Sequence, residues 1–60
     1  MSIKDKRLAA NMSQEELATA ASVSRVAITR YEAGERVPNL EIAARIAKAL
    51  GCKVDDLIDK

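Results

Sequence analysis

Apolar residues recur at helical spacing through most of the chain, and short polar joints separate the helical stretches. This pattern predicts five helices. The first covers about residues 2–10, the second begins after Ser13 and ends near Ala20 or Ala21, and the third covers residues 24–34. The fourth covers residues 40–50, and the fifth, roughly residues 54–58, has only one or two turns. The pattern therefore favours an all-α domain with tight turns.

Capping signals mark the ends of these predicted helices. Ser13 and Glu16 form the S-x-x-E pattern of a capping box, which gives the second helix a well-defined start. Ser24 is the predicted N-cap of the third helix, and the joint before it is so short that the second and third helices must meet at a sharp angle. Other predicted caps stand at the N-terminal end (Ser2, Asn39) or at the C-terminal end (Asn11, Gly34, Gly51) of a helix.

The third helix divides into an apolar face and a basic face. At 100° per residue, Ala27, Ile28 and Tyr31 share one side. The opposite side carries two arginines and no acid, although most solvated helix faces mix both signs of charge. Its residues are Arg25, Val26, Thr29, Arg30 and Ala33.

The fourth helix has a broader apolar stripe. Its predicted inward residues are Leu40, Ala43, Ile46, Ala47 and Leu50, and charged residues occupy the opposite face. A hydrophobic share of 48% in 60 residues, much of it alanine, fits one small domain of close-packed helices over residues 1–60.

Composition also limits the chemistry that the chain can perform. With no His and only Cys52, neither a metal site nor an internal disulfide is expected, and the lone thiol fits a reducing cytoplasm. The sequence has no signal-peptide pattern, no apolar run of about 20 residues and no Gly-rich phosphate loop. We therefore expect no membrane partner, no cofactor and no enzymatic activity. The net charge of +1 is nearly neutral, so only the placement of charges can indicate a nucleic-acid partner.

The segment "SQEELATAASVSRVAITRYEAG" resembles the DNA-binding unit of the Cro and phage-repressor (XRE-like) helix-turn-helix family. Gln14, Ala18, Val23, Ile28 and Tyr31 match positions of that unit, and "YEAGER.P" matches its usual exit. The flanking "KRLAANM" and "LEIAARIAKALGCKVDDLI" match the other helices, so the resemblance covers nearly the whole chain. One departure is Ser22, where the turn commonly carries Gly. A positive φ there would cost serine roughly 1 kcal/mol.

The resemblance implies a compact five-helix, lambda-repressor-like domain whose second and third helices form the helix-turn-helix. It also implies that the third helix lies in the major groove of double-stranded DNA. The base contacts expected from it are Gln14, Arg25, Val26, Thr29 and Arg30, with guanine edges for the arginines and thymine methyl groups for Val26 and Thr29. The expected phosphate contacts are Ser13, Ser24, Arg36 and Asn39.

Simpler interpretations of these residues remain open. Exposed arginines commonly serve only solubility, and Arg25 lies near enough to the helix start to contact the DNA backbone instead of a base. Val26 can be an isolated exposed apolar residue, Gln14 a good first helical residue, and Asn39 a plain N-cap.

Arg7 lies on the inward stripe of the first helix, between Ile3 and Ala10. A buried charge needs a partner, and Glu32, at the border of the inward face of the third helix, is the best candidate. We expect a partly buried, structural ion pair between them. That pair would leave the outward face of the third helix without a competing acid.

These expectations point to a sequence-specific regulator of transcription, a repressor acting as a homodimer on a two-fold operator in the cytoplasm of a bacterium or from a phage genome. Val54, Leu57 and Ile58 are the expected dimer surface, although the same residues, Leu57 above all, can simply close the core. The alternative function is an antitoxin or another protein-interaction module, which would present an apolar rather than a basic face on the third helix.

Overall fold

Four α-helices and one short 3₁₀ helix make up the part of the chain that is described here, residues 2–58 of a computed structural model. The α-helices are α1 (Ile3–Ala9), α2 (Gln14–Ala21), α3 (Arg25–Ala33) and α4 (Leu40–Leu50). Residues 2–58 contain no strand. The all-α class and the first four predicted helices are thus confirmed, with ends that shift by a residue or two.

The fifth predicted helix is wrong as an α-helix, because Val54–Leu57 forms a single 3₁₀ turn. The amide of Asp56 donates to the carbonyl of Lys53 at 3.0 Å, and the amide of Ile58 donates to the carbonyl of Asp55 at 3.3 Å. Both are i→i+3 bonds, which define the tighter helix. Ile58 already has extended backbone angles (φ −84°, ψ 124°), so the segment is too short to add α-helical bonds.

Side-chain caps begin α2, α3 and α4 as predicted. Ser13 Oγ accepts the amide of Glu16 at 3.0 Å, and Glu16 Oε1 accepts the amide of Ser13 at 2.8 Å, which completes the capping box. Ser24 and Asn39 each accept the amide three residues further on, at 3.1 and 2.8 Å. Ser2 makes no such side-chain cap. Three of the four predicted N-caps therefore act as local hydrogen-bond acceptors.

The core draws one fully buried large side chain from each of the five elements. Burial of such a side chain stabilises the fold by about 1.5–3 kcal/mol relative to exposure, so each element has its own anchor. The anchors are Ile3, Leu17, Ile28, Ile46 and Leu57. The amide of Ser2 also donates to the carbonyl of Leu57 at 2.8 Å, which joins the start of α1 to the 3₁₀ helix.

Small residues line the contact between α2 and α4. These two helices pack together, and α2 also packs on α3. Ala18 and Ala21 on α2 and Ala43 and Ala47 on α4 are all buried. Alanine combines high helix propensity with small volume, which explains why so much of the hydrophobic content of the chain is alanine.

Leu40 does not join the apolar stripe of α4, contrary to the prediction, since 77% of its surface is exposed. Ile42, at the other edge of the stripe, packs against the core instead. The remaining predicted residues, Ala43, Ile46 and Ala47, are buried, and Leu50 is half-buried. The core of the domain is therefore centred nearer the Ile42 edge of α4 than the pattern alone indicates.

Ser22 ends α2 in the left-handed conformation, with φ 57° and ψ 43°. Its amide donates back to the last turn of α2, and the chain then needs only Val23 and Ser24 before α3 begins. Asn11 also has a positive φ, 58°, in the turn between α1 and α2, as predicted for a left-handed residue. The turn between α2 and α3 therefore uses the backbone conformation that disfavours serine.

Candidate nucleic-acid interface

The pair α2 and α3, joined by the turn at Ser22, forms a helix-turn-helix. Ile28 and Tyr31 are buried and Ala27 is half-buried, so one side of α3 is fixed against the domain. The other side is open to solvent over the whole length of the helix. We call the exposed residues Arg25, Val26, Thr29 and Arg30 the recognition face.

The recognition face combines donors with apolar groups. Val26 is 60% exposed although it is a large apolar residue. Within residues 2–58, the guanidinium groups of Arg25 and Arg30 have neither a carboxylate partner nor a hydrogen-bond acceptor. The first turn of α3 contains no acidic residue either. This face therefore offers unpaired positive charge at the surface of an almost neutral protein.

The only acid of α3, Glu32, is paired with Arg7, as the sequence predicts. Arg7 Nε donates to Glu32 Oε2 at 2.6 Å, and Arg7 Nη2 donates to Glu32 Oε1 at 3.2 Å. The two side chains are 10% and 5% exposed. Arg7 Nη1 also donates to the carbonyl of Met12 at 2.9 Å, so one guanidinium joins α1, the following turn and α3.

Gln14, the first residue of α2, links this ion pair to the recognition face through hydrogen bonds. Its Nε2 donates to Glu32 Oε1 at 3.0 Å, and its Oε1 accepts the hydroxyl of Thr29 at 3.3 Å. We call Arg7, Glu32, Gln14 and Thr29 the polar cluster. Sequence reasoning did not predict these partners of Gln14. The available signal was that a buried carboxylate needs more donors than one guanidinium supplies.

The polar cluster keeps Glu32 ionised. Burial by itself raises the pKa of this carboxyl, but hydrogen bonds from Arg7 and Gln14, with the charges of Arg7 and Lys4, outweigh it and hold the pKa below the usual 4.5. The hydrogen bond to Glu32 likewise raises the pKa of Arg7 above its ordinary range. Both groups are therefore charged at neutral pH, and their charges compensate each other.

The expected phosphate contacts lie at helix starts and in the loop before α4. The hydroxyl oxygens of Ser13 and Ser24 and the amide oxygen of Asn39 are used as caps, but each side chain keeps hydrogens that can still be donated. At Ser13, the backbone amide is already bound by Glu16, and the hydrogen bonds from Ser13 lower the pKa of that carboxylate. At Ser24, no acid competes for an anion.

Arg36 and the three expected dimer residues have different environments. Arg36 is exposed in the loop between α3 and α4. Val54 is half-buried against the core, Leu57 is completely buried, and Ile58 is 50% exposed. Leu57 therefore closes the core, which is the alternative that the sequence left open for it above all, and it exposes no surface to a partner chain. Of these three residues, only Ile58 offers much free apolar surface.

Neither a metal site nor a membrane helix is found in the described part of the chain. Over residues 2–58, no three His, Cys, Asp or Glu side chains are grouped so that they could hold a metal ion. No helix in the same range is long and apolar enough to cross a bilayer.

Comparison with known proteins agrees with this geometry. The model of the helix-turn-helix family matches residues 3–57. An uncharacterized HTH-type transcriptional regulator of Archaeoglobus fulgidus is 40% identical over 55 residues, which cover 92% of this chain and 78% of that protein. A second one, from Methanocaldococcus jannaschii, is also 40% identical, over 92% of this chain and 83% of its own. The HTH-type transcriptional activator BcrR of Enterococcus faecalis is 36% identical over 93% of this chain but only 28% of its own length.

Both the geometry of α2 and α3 and the sequence comparisons therefore identify a helix-turn-helix protein. The chain belongs to the XRE-type helix-turn-helix family, whose members are DNA-binding regulators of transcription.

Proposed function

We propose that this protein is a sequence-specific repressor that binds a two-fold DNA operator as a homodimer and reads the major groove with α3. The observation that carries the proposal is the recognition face, where the guanidinium groups of Arg25 and Arg30 flank Val26 and Thr29 and have no acidic partner among residues 2–58. Unpaired guanidinium donors beside exposed methyl groups match the base edges and thymine methyl groups of the major groove, so the chemistry of α3 favours DNA over a protein partner.

Each residue of the recognition face has a chemical role in this proposal. Arg30 lies about one and a half turns into α3 and contacts guanine O6 and N7 in bidentate fashion. Arg25, at the helix start, contacts either a base or a backbone phosphate. Val26 and Thr29 supply methyl groups that pack against thymine methyl groups, and Gln14 approaches the DNA at the edge of the site.

Ser24, Asn39 and Arg36 are the main phosphate contacts in this proposal, and Ser13 is the weakest. At Ser24 and Asn39, the first free amides of α3 and α4 lie at the positive helix ends; the first turn of α3 has no acid, whereas that of α4 carries Glu41, so Ser24 is the stronger of the two. At Ser13, the carboxylate of Glu16 occupies the backbone amide and repels phosphate, so only the serine hydroxyl can donate.

The proposed dimerisation is based on the small number of base pairs that one such domain can contact. A single α3 contacts only a few base pairs, so useful specificity needs two half-sites about one helical turn apart.

Repression needs only occupancy of the DNA, whereas activation needs a further contact with the transcription machinery. Because BcrR is named an activator, in vitro transcription from a template that carries the selected operator must decide between them. A fall in transcript supports repression, and a rise contradicts it.

Selection of bound sequences from random duplex DNA, followed by titration of variants, tests the DNA-binding proposal. Arg30→Ala should weaken binding to the selected operator by about 10- to 100-fold and relax the preference at one position, because one bidentate base contact contributes about 1–3 kcal/mol. Its binding to unrelated DNA at low salt should change little.

Arg45→Ala is the matched control, since Arg45 is an exposed arginine on α4, outside the recognition face. It should leave operator affinity within about twofold of the unmodified protein, the level expected for a surface change. The absence of binding to any duplex at low salt would contradict the proposal, as would equal effects of the two variants.

A further inference from the structure

The polar cluster has a fixed direction of hydrogen bonding from the core to the surface. Arg7 can only donate, and ionised Glu32 can only accept. The Gln14 amide must therefore turn its NH₂ group to Glu32, which it does at 3.0 Å. Its carbonyl oxygen is thereby left for Thr29, at 3.3 Å from the hydroxyl oxygen.

The hydroxyl of Thr29 has only one hydrogen, and both neighbouring groups are acceptors. These are the Gln14 carbonyl oxygen at 3.3 Å and the backbone carbonyl of Arg25 at 3.1 Å. The hydrogen is therefore used inside the protein, and the oxygen presents only lone pairs to solvent. Thr29 itself is exposed on the recognition face.

Resting on the proposed function, we propose that Thr29 reads the operator as a hydrogen-bond acceptor and that Gln14 is the residue that positions it. A base edge that matches an acceptor carries an exocyclic amine, the N6 of adenine or the N4 of cytosine. Guanine O6 and thymine O4 are acceptors themselves and are rejected as partners of the hydroxyl, whereas the methyl group of Thr29 can still pack against a thymine methyl group of a neighbouring base. The operator base opposite Thr29 is therefore adenine or cytosine, because both neighbours of the hydroxyl, the Gln14 carbonyl oxygen and the backbone carbonyl of Arg25, are acceptors.

Two isosteric substitutions test the proposal through operator preference. Thr29→Val keeps the shape of the side chain and removes the hydroxyl. It should reduce the discrimination between amine-bearing and carbonyl-bearing bases at one operator position by about five- to tenfold, the effect of one neutral hydrogen bond. Thr29→Ser keeps the hydroxyl and should retain that discrimination.

Gln14→Met removes both hydrogen bonds of the amide and keeps the length of the side chain. It should weaken the preference at the same operator position as Thr29→Val, but by less, because the backbone carbonyl of Arg25 still accepts the hydroxyl hydrogen of Thr29. The double variant should discriminate no worse than Thr29→Val alone, because Gln14 acts through Thr29. Thermal unfolding of each variant checks that the domain is intact.

Three outcomes would overturn the proposal. One is a Gln14→Met variant that loses affinity equally for all sequences and has a smaller salt dependence, which is the behaviour of a phosphate contact. Another is a Thr29→Val variant with an unchanged base preference. The third is a preferred guanine or thymine at the position that Thr29→Val relaxes. All three are read against the unmodified protein bound to its selected operator, so failure of the proposed function itself would be evident first, as absence of that binding.

Discussion

Glu32 lies on the helix that carries the recognition face, yet its carboxylate accepts three hydrogen bonds from inside the domain. Two come from Arg7 and one from Gln14. Because the side chains of the ion pair are almost completely buried, neither charge can be left alone without a large desolvation penalty. This one residue therefore joins α1, α2 and α3 and removes negative charge from the proposed DNA surface.

Truncation of Glu32 should destabilise the domain strongly. Glu32→Ala leaves the guanidinium of Arg7 buried without its carboxylate, and we expect the free energy of unfolding to fall by about 3 kcal/mol. Urea denaturation followed by circular dichroism measures this change. Glu35→Ala removes an exposed acid three residues further on and is the matched control, with an expected change within about 0.5 kcal/mol. A similar result for both variants would show that the ion pair has no structural role.

The same carboxylate should make stability depend on pH. Since the folded-state pKa of Glu32 lies below 4.5, its contribution is fully present above about pH 4.5. It is lost as the pH falls through the folded-state value, because the unfolded chain binds the proton more readily. Glu32→Gln should therefore lose less stability than the unmodified protein between pH 5 and pH 3. Parallel pH profiles of the two proteins would contradict this. The low pKa of Glu16 acts in the same direction, so a part of the acid sensitivity remains in the variant.

Among the elements, the turn between α2 and α3 contains the most evident local strain. Ser22 has φ 57° where glycine has no steric penalty. Only Val23 and Ser24 then stand between Ser22 and the first residue of α3. The angle between the two helices is thus maintained against a local cost by the packing of Ala18, Ala21 and Ile28 in the core.

Ser22→Gly should raise the free energy of unfolding by about 1 kcal/mol, because it removes the steric cost of the left-handed conformation. Thermal or urea denaturation measures the gain. Ala20→Gly is the matched control, since it introduces glycine at an exposed position inside α2 and should lower stability by about 1 kcal/mol. A loss of stability in both variants would show that Ser22 is not strained.

For the whole molecule, the proposed homodimer depends on apolar surface that the single domain leaves uncovered. Leu57 is fully buried, so Ile58 is the principal candidate at the C-terminal end. Val54 is half-buried and can add only its remaining surface. Binding of two such domains to adjacent half-sites would cover Ile58 and add cooperativity to the individual domain–DNA contacts.

Ile58→Asp should weaken binding to a duplex with both half-sites by about tenfold or more, because burial of one such side chain contributes about 1.5–3 kcal/mol. Binding to a duplex with one half-site should not change. Leu8→Asp is the matched control, as Leu8 is an apolar residue of similar exposure on α1 (57% against 50%). Equal losses on the two duplexes, or no loss on either, would contradict the proposed dimer surface.

Most of the interactions that could be predicted from sequence join near neighbours in the chain. The caps at Ser13, Ser24 and Asn39 join residues three apart, so residue type and spacing suffice to predict them. The two faces of α3 follow from helical periodicity alone. The pair Arg7–Glu32 was also predictable, because a cation on an apolar stripe must find a buried carboxylate and α3 has only one acid.

Contacts between elements were decided by tertiary structure. Leu40 and Ile42 lie at opposite edges of the α4 stripe, each about 80° from its centre at 100° per residue, so periodicity cannot tell which one is buried. The packing of α4 on α2 and on the 3₁₀ helix selects Ile42. In the same way, Gln14 meets Glu32 and Thr29 only because α2 and α3 cross beside them.

The sequence by itself thus determined the helices, their ends and the acid-free basic face, because these depend on local hydrogen bonding and on one helical period. Tertiary structure decided that the last segment is a 3₁₀ turn, that Leu57 is core, and that Gln14 connects the buried ion pair to Thr29. The physical reason is that burial and hydrogen bonding between distant residues depend on how the helices pack, which no local pattern specifies.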